Sequence, residues 1–312
     1  MTLTQLQYLV ALSKHQNFTA AAEHCFVTQP TLSMQILKLE DELNLKLINR
    51  STTPISLTSA GKKIVRQAKI ILREADRVKD IANQEIDYVG GEFRLGVIPT
   101  IMPTLLPSFL ASFSKKYPEV KLILKEINTS QIIRELHEGQ IDAAIAATPL
   151  HEKKIIEIPL YYEPFVAYIP KKHKLSSKKL IDANDLNLSE VLLLQEGHCF
   201  RDGVINLCKA SSAEEANSFS IESGSFETLI QLCDKGLGMT LLPYLHTPNL
   251  KKKQRQNLIQ FSAPAPAREV SLIHHKSELK MKLIKALEKE IKTKIKGAVH
   301  LKDVQIISPL LK

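Results

Sequence analysis

The double glycine Gly90-Gly91 separates two parts of the chain that follow different hydrophobic patterns. Before it, apolar residues recur at helical spacing, in short segments broken by small polar residues. After it, short apolar runs alternate with helical segments through the rest of the chain. This division predicts a helical N-terminal domain followed by an α/β domain whose parallel strands are covered by helices on both faces. With 312 residues, the chain is long enough for both parts to bury a core.

The N-terminal part has the pattern of a winged helix-turn-helix. A short alanine-rich helix at residues 18–24 is followed by a brief turn and a third helix, which Thr28 caps and which has Pro30 in its first turn. Residues 50–58 then alternate polar with apolar residues, as a small β-wing does. In this motif the start of the second helix enters the major groove of DNA. We therefore expect a nucleic-acid partner.

The charge distribution agrees with a polyanionic partner. The net charge is +9, and residues 44–73 contain seven Lys and Arg side chains and no Asp or Glu. Segments of one sign are typical of surfaces that contact a phosphate backbone. A basic, solvated helix face would give the same pattern, so the charge alone leaves both interpretations open.

A long helix is predicted from Ser59 to about Asp87. Its apolar residues, among them Ile64, Ala68 and Ile71, recur at mixed spacings of three and four. Few apolar residues elsewhere in the N-terminal part remain to cover this stripe. We interpret the segment as a linker and dimerisation helix, covered by a second copy of the chain.

The N-terminus lacks the basic region and apolar core of a signal peptide, and no apolar run reaches the ~18–20 residues that span a bilayer. We expect a cytoplasmic protein without membrane contact. In a reducing compartment the four cysteines are not a disulfide framework, and their spacing fits no zinc pattern. We predict neither a metal nor a cofactor.

The stretch GHCFRDGVINLC, residues 197–208, places two cysteines in unequal surroundings. Cys199 has the polar neighbours His198 and Arg201, which favour a thiolate, whereas Cys208 follows apolar residues that predict a buried thiol with a raised pKa. If residues 203–208 are helical, the two Cα atoms lie on the order of 10 Å or more apart. Because a disulfide needs Cα atoms within about 7 Å, the pair could bond only after this segment refolds.

Polar side chains elsewhere are candidates for the same cleft. Thr100 and Thr129 follow predicted strands, where ligands of α/β sheets bind, and Arg268 is a candidate to reach that edge. Thr100, Thr129, His198 and Arg268 are the predicted effector pocket. The residues alone leave other roles open: the threonines can cap helices, Arg268 can form a hinge ion pair, and His198 can orient its loop.

The N-terminal third resembles the LysR-type transcriptional regulators through an ordered series of motifs. They are Phe18-Thr19-Ala20-Ala21-Ala22-Glu23, Val27-Thr28-Gln29-Pro30-Thr31-Leu32-Ser33, Leu37-Lys38-Leu39-Glu40, Glu42-Leu43, Arg50 and Leu57-Thr58-Ser59-Ala60-Gly61. Met34 departs from the family, which usually has arginine there. The resemblance implies DNA contacts by Thr28, Gln29, Pro30, Thr31, Ser33, Lys38 and Arg50.

The resemblance also implies an architecture for the whole chain. It comprises an all-α winged helix-turn-helix domain (1–58), a linker and dimerisation helix (59–88), and an α/β effector domain (91–312) like a periplasmic binding protein. The effector domain would divide into subdomain I, about 91–162 and 268–312, and subdomain II, about 163–267.

The effector part resembles the peroxide-sensing members of that family in residues 96–100, 197–202, Cys208 and 238–243. This resemblance implies that hydrogen peroxide oxidises Cys199 and that Cys208 then forms a disulfide with it. It further implies a homodimer or homotetramer on an interrupted palindrome, which activates antioxidant genes through RNA polymerase.

Two functions other than peroxide sensing are compatible with parts of the sequence. One is a LysR-type regulator that binds a metabolite and has only structural cysteines. The other, a thiol peroxidase, would leave the N-terminal third without a role and lacks a second catalytic constellation, so we predict that the chain is not an enzyme.

Overall fold

The computed structural model describes residues 1–85, 89–208, 223–296 and 304–310. The chain divides into two compact units, Met1–Tyr88 and Val89–Lys312. The predicted end of the linker helix near Asp87 and parts of the predicted effector domain, 209–222, 297–303 and 311–312, lie outside the described residues.

The first unit is helical, with a two-stranded antiparallel wing. Its elements are α1 (Leu3–His15), α2 (Phe18–His24), α3 (Gln29–Leu43), β1 (Ile48–Asn49), β2 (Ser56–Leu57) and α4 (Ser59–Glu85). Leu9, Leu32, Ile36 and Leu39 are fully buried at the centre of this unit. The winged helix-turn-helix predicted from the sequence is thereby confirmed.

The start of α3 differs in one detail from the prediction. Thr28 is the N-cap residue, but its side chain makes no capping hydrogen bond to the helix backbone. Its hydroxyl instead lies 2.8 Å from the hydroxyl of Thr31. The two hydroxyls therefore form a hydrogen bond with each other at the exposed start of the helix.

The apolar stripe of α4 is covered in two different ways. Val65 and Ala68 in its first half are buried against the other helices of the same unit, chiefly α1. This corrects the expectation that the chain itself has nothing to cover the stripe. Further along, Val78 is 67% exposed and Ile81 is 51% exposed, so only this second half presents an open apolar surface.

The second unit has a mixed sheet flanked by helices. Its strands are β3 (Gly91–Val97), β4 (Val120–Glu126), β5 (Ala143–Thr148), β6 (Ile155–Tyr168), β7 (Leu180–Ile181), β8 (Thr240–Pro243), β9 (Leu258–Phe261), β10 (Ala265–His275) and β11 (Val304–Ile306). Its helices are α5 (Met102–Lys116), α6 (Thr129–Glu138), α7 (Cys199–Leu207), α8 (Phe226–Asp234), α9 (Lys252–Arg255) and α10 (Met281–Ile295).

The expectation of purely parallel sheets was wrong. The strand order is β4-β3-β5-β10-β6-β9-β7, and only part of it is parallel. β3 pairs in parallel with β4 and β5, whereas β10 is antiparallel to both β5 and β6. β10 returns from late in the chain to lie between two earlier strands, so its direction does not follow from the local β-α-β pattern.

Two hydrophobic cores lie along this sheet. The first is built around Phe93, Leu95, Phe109 and Ile284, and the second around Tyr168, Leu229, Cys233 and Leu242. The long strands β6 and β10 contribute to the first core and continue toward the second. Cys199 packs in the first core, whereas the next residue, Phe200, packs in the second. Helix α7 therefore begins where the two cores meet.

Candidate redox site and DNA interface

Helix α7 places Cys199 at its first residue. Gly197 has φ +86°, a conformation that favours glycine, and His198 is the extended N-cap residue. Cys199 is buried, with 6% of its surface exposed. The sulfur is therefore attached to the positive end of a helix, which favours a thiolate.

Three further groups favour ionisation of this thiol. The Arg268 guanidinium has the largest effect in this direction, and the Thr129 hydroxyl and the backbone N–H of Ala147 also lower the pKa of Cys199. Burial nevertheless has the largest effect and raises the pKa of Cys199 above its ordinary value, with Asp202 acting in the same direction. Cys199 is therefore a protonated thiol in the resting protein, although several groups around it stabilise the thiolate.

Arg268 is held by a buried network. Its Nε and Nη2 donate to Oε2 of Glu163 at 2.9 and 2.7 Å, and its Nη1 donates to the Thr100 hydroxyl at 2.8 Å. Nη2 also donates to the Thr100 carbonyl at 3.2 Å. The other carboxylate oxygen of Glu163 accepts from the backbone N–H of Leu245 at 2.8 Å. Each charge is paired, so the guanidinium is fixed rather than free to swing.

The cation near Cys199 comes from strand β10 and not from the sequence neighbours of the cysteine. Arg201 donates to the backbone carbonyl of Leu194 at 3.3 Å. Burial lowers the pKa of His198 below its ordinary value, so its imidazole is neutral at pH 7. The expectation that His198 or Arg201 provides the charge was therefore wrong, since Arg268 has that position.

The side chains of His198, Thr100 and Thr129 do not cap the helices beside them. His198 Nδ1 is buried without a hydrogen-bond partner among the described residues. Asn128, not Thr129, caps α6 by accepting from the backbone N–H of Gln131, and the N-cap of α5 is Ile101, not Thr100. The capping alternative is thus not what the structure shows for either threonine.

Cys208 lies at the other end of α7. It is the C-cap residue, its N–H donates to the carbonyl of Val204 at 3.0 Å, and burial raises its pKa to about 11. Nine residues at about 1.5 Å each separate the two cysteines by ~13 Å along the helix axis. All four cysteines are free, with Cys25 half-buried and Cys233 inside the second core.

The C-terminal segment is tied to α7. The side-chain amide of Asn206 donates to the carbonyls of Ser308 at 3.1 Å and Leu310 at 2.7 Å. On its other side the segment pairs with β10 through β11, and Ile307 N–H donates to the carbonyl of Ala267 at 2.8 Å. One short segment thus links the helix that carries Cys199 to the strand that carries Arg268.

The structure therefore brings together most of the predicted redox residues. Thr100 and Arg268 share one buried hydrogen-bond network, Arg268 and Thr129 act on the Cys199 thiol, His198 is the residue before Cys199, and Cys208 is set apart at the other end of α7. Sequence reasoning missed Glu163 and Ala147. The sequence could have indicated Glu163, because it is the one carboxylate in the otherwise apolar run 158–169. It could not have indicated Ala147, which acts through its backbone.

The predicted DNA-contacting residues gather at α3 and the wing. Thr28, Gln29, Pro30 and Lys38 are exposed, and Thr31 and Ser33 are half-buried. Arg50 differs, because its guanidinium donates to Glu40 at 3.1 Å and lies over the Phe18 ring. Glu40 also accepts from the backbone of Leu47 and Ile48, so it joins α3 to the wing.

None of the helices in the described parts of the chain combines the length and apolar character that crossing a bilayer requires. Residues 3–62 match the family described as bacterial regulatory helix-turn-helix protein, lysR family. Residues 87–295 match the LysR substrate binding domain. The chain belongs to the LysR family of bacterial regulators.

Two curated relatives within that family match most of the chain. The chain is 34% identical over 274 residues to the DNA-binding transcriptional dual regulator OxyR of Escherichia coli K12, covering 88% of this chain and 89% of the relative. It is 34% identical to the hydrogen peroxide-inducible genes activator of Pectobacterium carotovorum, with 88% and 90% covered.

Solved structures give the same picture. Full-length OxyR from Pseudomonas aeruginosa, in a cysteine-to-aspartate variant, matches with a TM-score of 0.74 and 35% identity, covering 94% of this chain and 98% of that one. A cysteine-to-serine mutant of Corynebacterium glutamicum OxyR, bound to hydrogen peroxide, matches with a TM-score of 0.64 and 27% identity, covering 98% of each chain.

Proposed function

We propose that this chain is a DNA-binding transcriptional regulator that senses hydrogen peroxide through Cys199 and controls antioxidant genes. The observation that carries the proposal is a buried thiol at the first residue of a helix, together with a buried Arg268 guanidinium that Glu163 and Thr100 fix and that acts on this thiol. Such a site stabilises negative charge as it develops, which peroxide cleavage requires. The relatives described above are named for the response to peroxide, which supports the same function.

The first chemical step is oxidation of Cys199. Its sulfur attacks one oxygen of hydrogen peroxide, the O–O bond breaks, and the other oxygen leaves with the thiol proton as water. The product is a sulfenic acid. Thr100, Thr129 and Arg268 are the donors that hold the peroxide oxygens, and the uncharged His198 orients the loop in front of α7.

The second step joins Cys208 to Cys199. The Cys208 sulfur attacks the sulfenic sulfur, a disulfide forms, and a second molecule of water leaves. A separation of ~13 Å exceeds the limit of about 7 Å for bonded cysteines, so α7 and the disulfide cannot coexist. Closing so short a loop stabilises the refolded state by about 2–3 kcal/mol before strain, which is enough to bias a two-state element.

The change in transcription results from the refolding of residues about 199–210. In this proposal the change alters contacts between subunits of a homodimer or homotetramer, and with them the spacing of the DNA-binding units. A two-fold symmetric dimer reads an interrupted palindrome, and activation proceeds through RNA polymerase. The exposed apolar residues Val78 and Ile81 of α4 are candidates for the dimer contact.

The test compares DNA footprints of the parent protein, Cys199→Ser and the control Cys25→Ser, each with and without one equivalent of peroxide. We expect the parent and Cys25→Ser footprints to change with peroxide and the Cys199→Ser footprint to stay in the reduced pattern. Free thiols are counted in parallel, and the parent should lose Cys199 and Cys208 together. Unchanged thiols and footprints would instead favour a metabolite-responsive regulator.

A further inference from the structure

Phe200, the residue after Cys199, is in contact with three side chains from other elements. Its ring lies beneath the Arg268 guanidinium, with 5.3 Å between the guanidinium carbon and the ring centroid. It also meets the rings of Phe165 and Phe226 edge to face, at centroid distances of 4.9 and 5.1 Å. Only 3% of its surface is exposed. Cation–π and aromatic contacts at these distances stabilise a protein beyond what burial alone contributes.

These contacts join the first turn of α7 to parts of the fold outside that helix. Arg268 lies on β10, Phe165 on β6, and Phe226 is the first residue of α8. The guanidinium is already fixed by the buried hydrogen-bond network described above, so its position does not depend on the Phe200 ring. Phe200 is therefore the residue that is held, and the start of α7 is held through it.

In the proposed cycle, disulfide formation moves Cys199 out of its position rather than bringing Cys208 to it. Cys199 is buried in the first core and Cys208 in the second. Because protein cores are close-packed, the surroundings of the Cys199 sulfur have no room for a second sulfur and its main chain. The Cα atom of Phe200 is about 3.8 Å from that of Cys199. When Cys199 leaves its position, the Phe200 ring therefore leaves its three partners.

We propose that Phe200 is a positioning residue, which holds Cys199 beside Arg268 and opposes its movement to Cys208. The inference rests on the proposed function. In the second step of that function the Cys208 thiol loses its proton and attacks the sulfenic sulfur, the S–O bond breaks, and the oxygen leaves with that proton as water. The contacts of the Phe200 ring stabilise only the reduced, helical form. Their strength therefore contributes to the reduction potential of the cysteine pair.

The test variant is Phe200→Leu, which keeps the residue apolar and removes the ring. The reduction potential is measured on the full chain by titration with reduced and oxidised glutathione. Because the reduced form loses its ring contacts and the disulfide form loses none, we expect the equilibrium to shift at least tenfold toward the disulfide. A tenfold shift corresponds to a reduction potential about 30 mV more negative.

The matched control is Phe113→Leu. Phe113 is 1% exposed, and its described ring contacts, with Phe109 and Tyr117, lie along α5 and not on α7. Its substitution removes a buried ring from a part of the fold that is the same in both redox forms. We expect both forms to be destabilised equally, so the reduction potential should stay unchanged.

A second variant, Phe226→Leu, tests the same contact from the other side. It removes one ring partner of Phe200 and leaves the sequence of α7 unchanged. The reduction potential should become more negative by a smaller factor than in Phe200→Leu, because two partners of the ring remain. This variant decides the question if Phe200→Leu does not fold.

The outcomes distinguish this inference from the proposed function. An unchanged or less negative potential in Phe200→Leu, or in Phe226→Leu where the first variant does not fold, would overturn the role of Phe200 and leave the proposed function standing. An equal shift in Phe113→Leu would overturn it as well, because the effect would then be a general loss of packing. If peroxide does not oxidise Cys199 in the parent, or no disulfide follows, the proposed function fails and this inference fails with it.

Discussion

Arg268 and Glu163 form a fully buried ion pair in which two guanidinium nitrogens donate to one carboxylate oxygen at 2.7 and 2.9 Å, across the two strands that run through both cores. The pair fixes the guanidinium that acts on Cys199 and at the same time bonds Thr100. In the proposed function, both peroxide sensing and folding depend on these two side chains, so the first experiment separates the two roles.

Arg268→Met should destabilise the protein by about 3–5 kcal/mol, because it leaves the Glu163 carboxylate buried without a partner. The double variant Arg268→Met with Glu163→Leu should recover most of that loss, since no charge remains, yet should still oxidise slowly. Urea unfolding measures the first effect and dimedone trapping the second. A double variant that is both stable and fully reactive would show that Arg268 has only a structural role.

The rate of Cys199 oxidation should rise with pH. Burial raises the pKa of Cys199, so at neutral pH only a minor fraction is thiolate, and that fraction grows about tenfold for each pH unit below the pKa. Burial lowers the pKa of His198, so any inflection from its titration should lie below its ordinary value. Stopped-flow rates from about pH 6 to 8 measure this slope. A flat profile would mean that the thiol is already ionised.

Gln29→Ala should relax sequence preference on DNA, because the exposed Gln29 at the start of α3 is placed to read a base edge. Lys38→Ala is the matched control on the same helix. It should weaken binding to all sequences alike and reduce the salt slope by about one contact. Binding to an operator and its single-base variants at several salt concentrations separates the two. If Gln29→Ala weakened binding to all sequences equally, Gln29 would not be a residue that reads a base.

Asn206→Ala should favour the disulfide state. The substitution removes two hydrogen bonds that hold the C-terminal segment to helical α7, worth about 1–2 kcal/mol together, and helical α7 exists only in the reduced form of the proposed cycle. The reduction potential should become more negative by about 20–40 mV. Redox titration measures the shift, with the exposed Gln256→Ala as control. An unchanged potential would show that the segment stays bound in both states.

The sequence was informative wherever a feature depends on local pattern. The helices of the N-terminal unit, the wing, and the helix between Cys199 and Cys208 all follow from hydrophobic spacing and turn residues. It was uninformative where distant segments meet. The direction of β10, the charge of Arg268 beside Cys199, and the backbone N–H of Ala147 depend on tertiary packing that no local pattern encodes.

The C-terminal segment contacts both the helix that carries Cys199 and the strand that carries Arg268. Ile307 bonds to Ala267, the residue next to Arg268, while Ser308 and Leu310 accept from Asn206 on α7. In the proposed cycle, a change that loosens this segment would shift the balance between the helical and disulfide forms of α7 without altering either cysteine. The peroxide concentration that oxidises the regulator would then depend on these contacts as well as on the chemistry of the pocket.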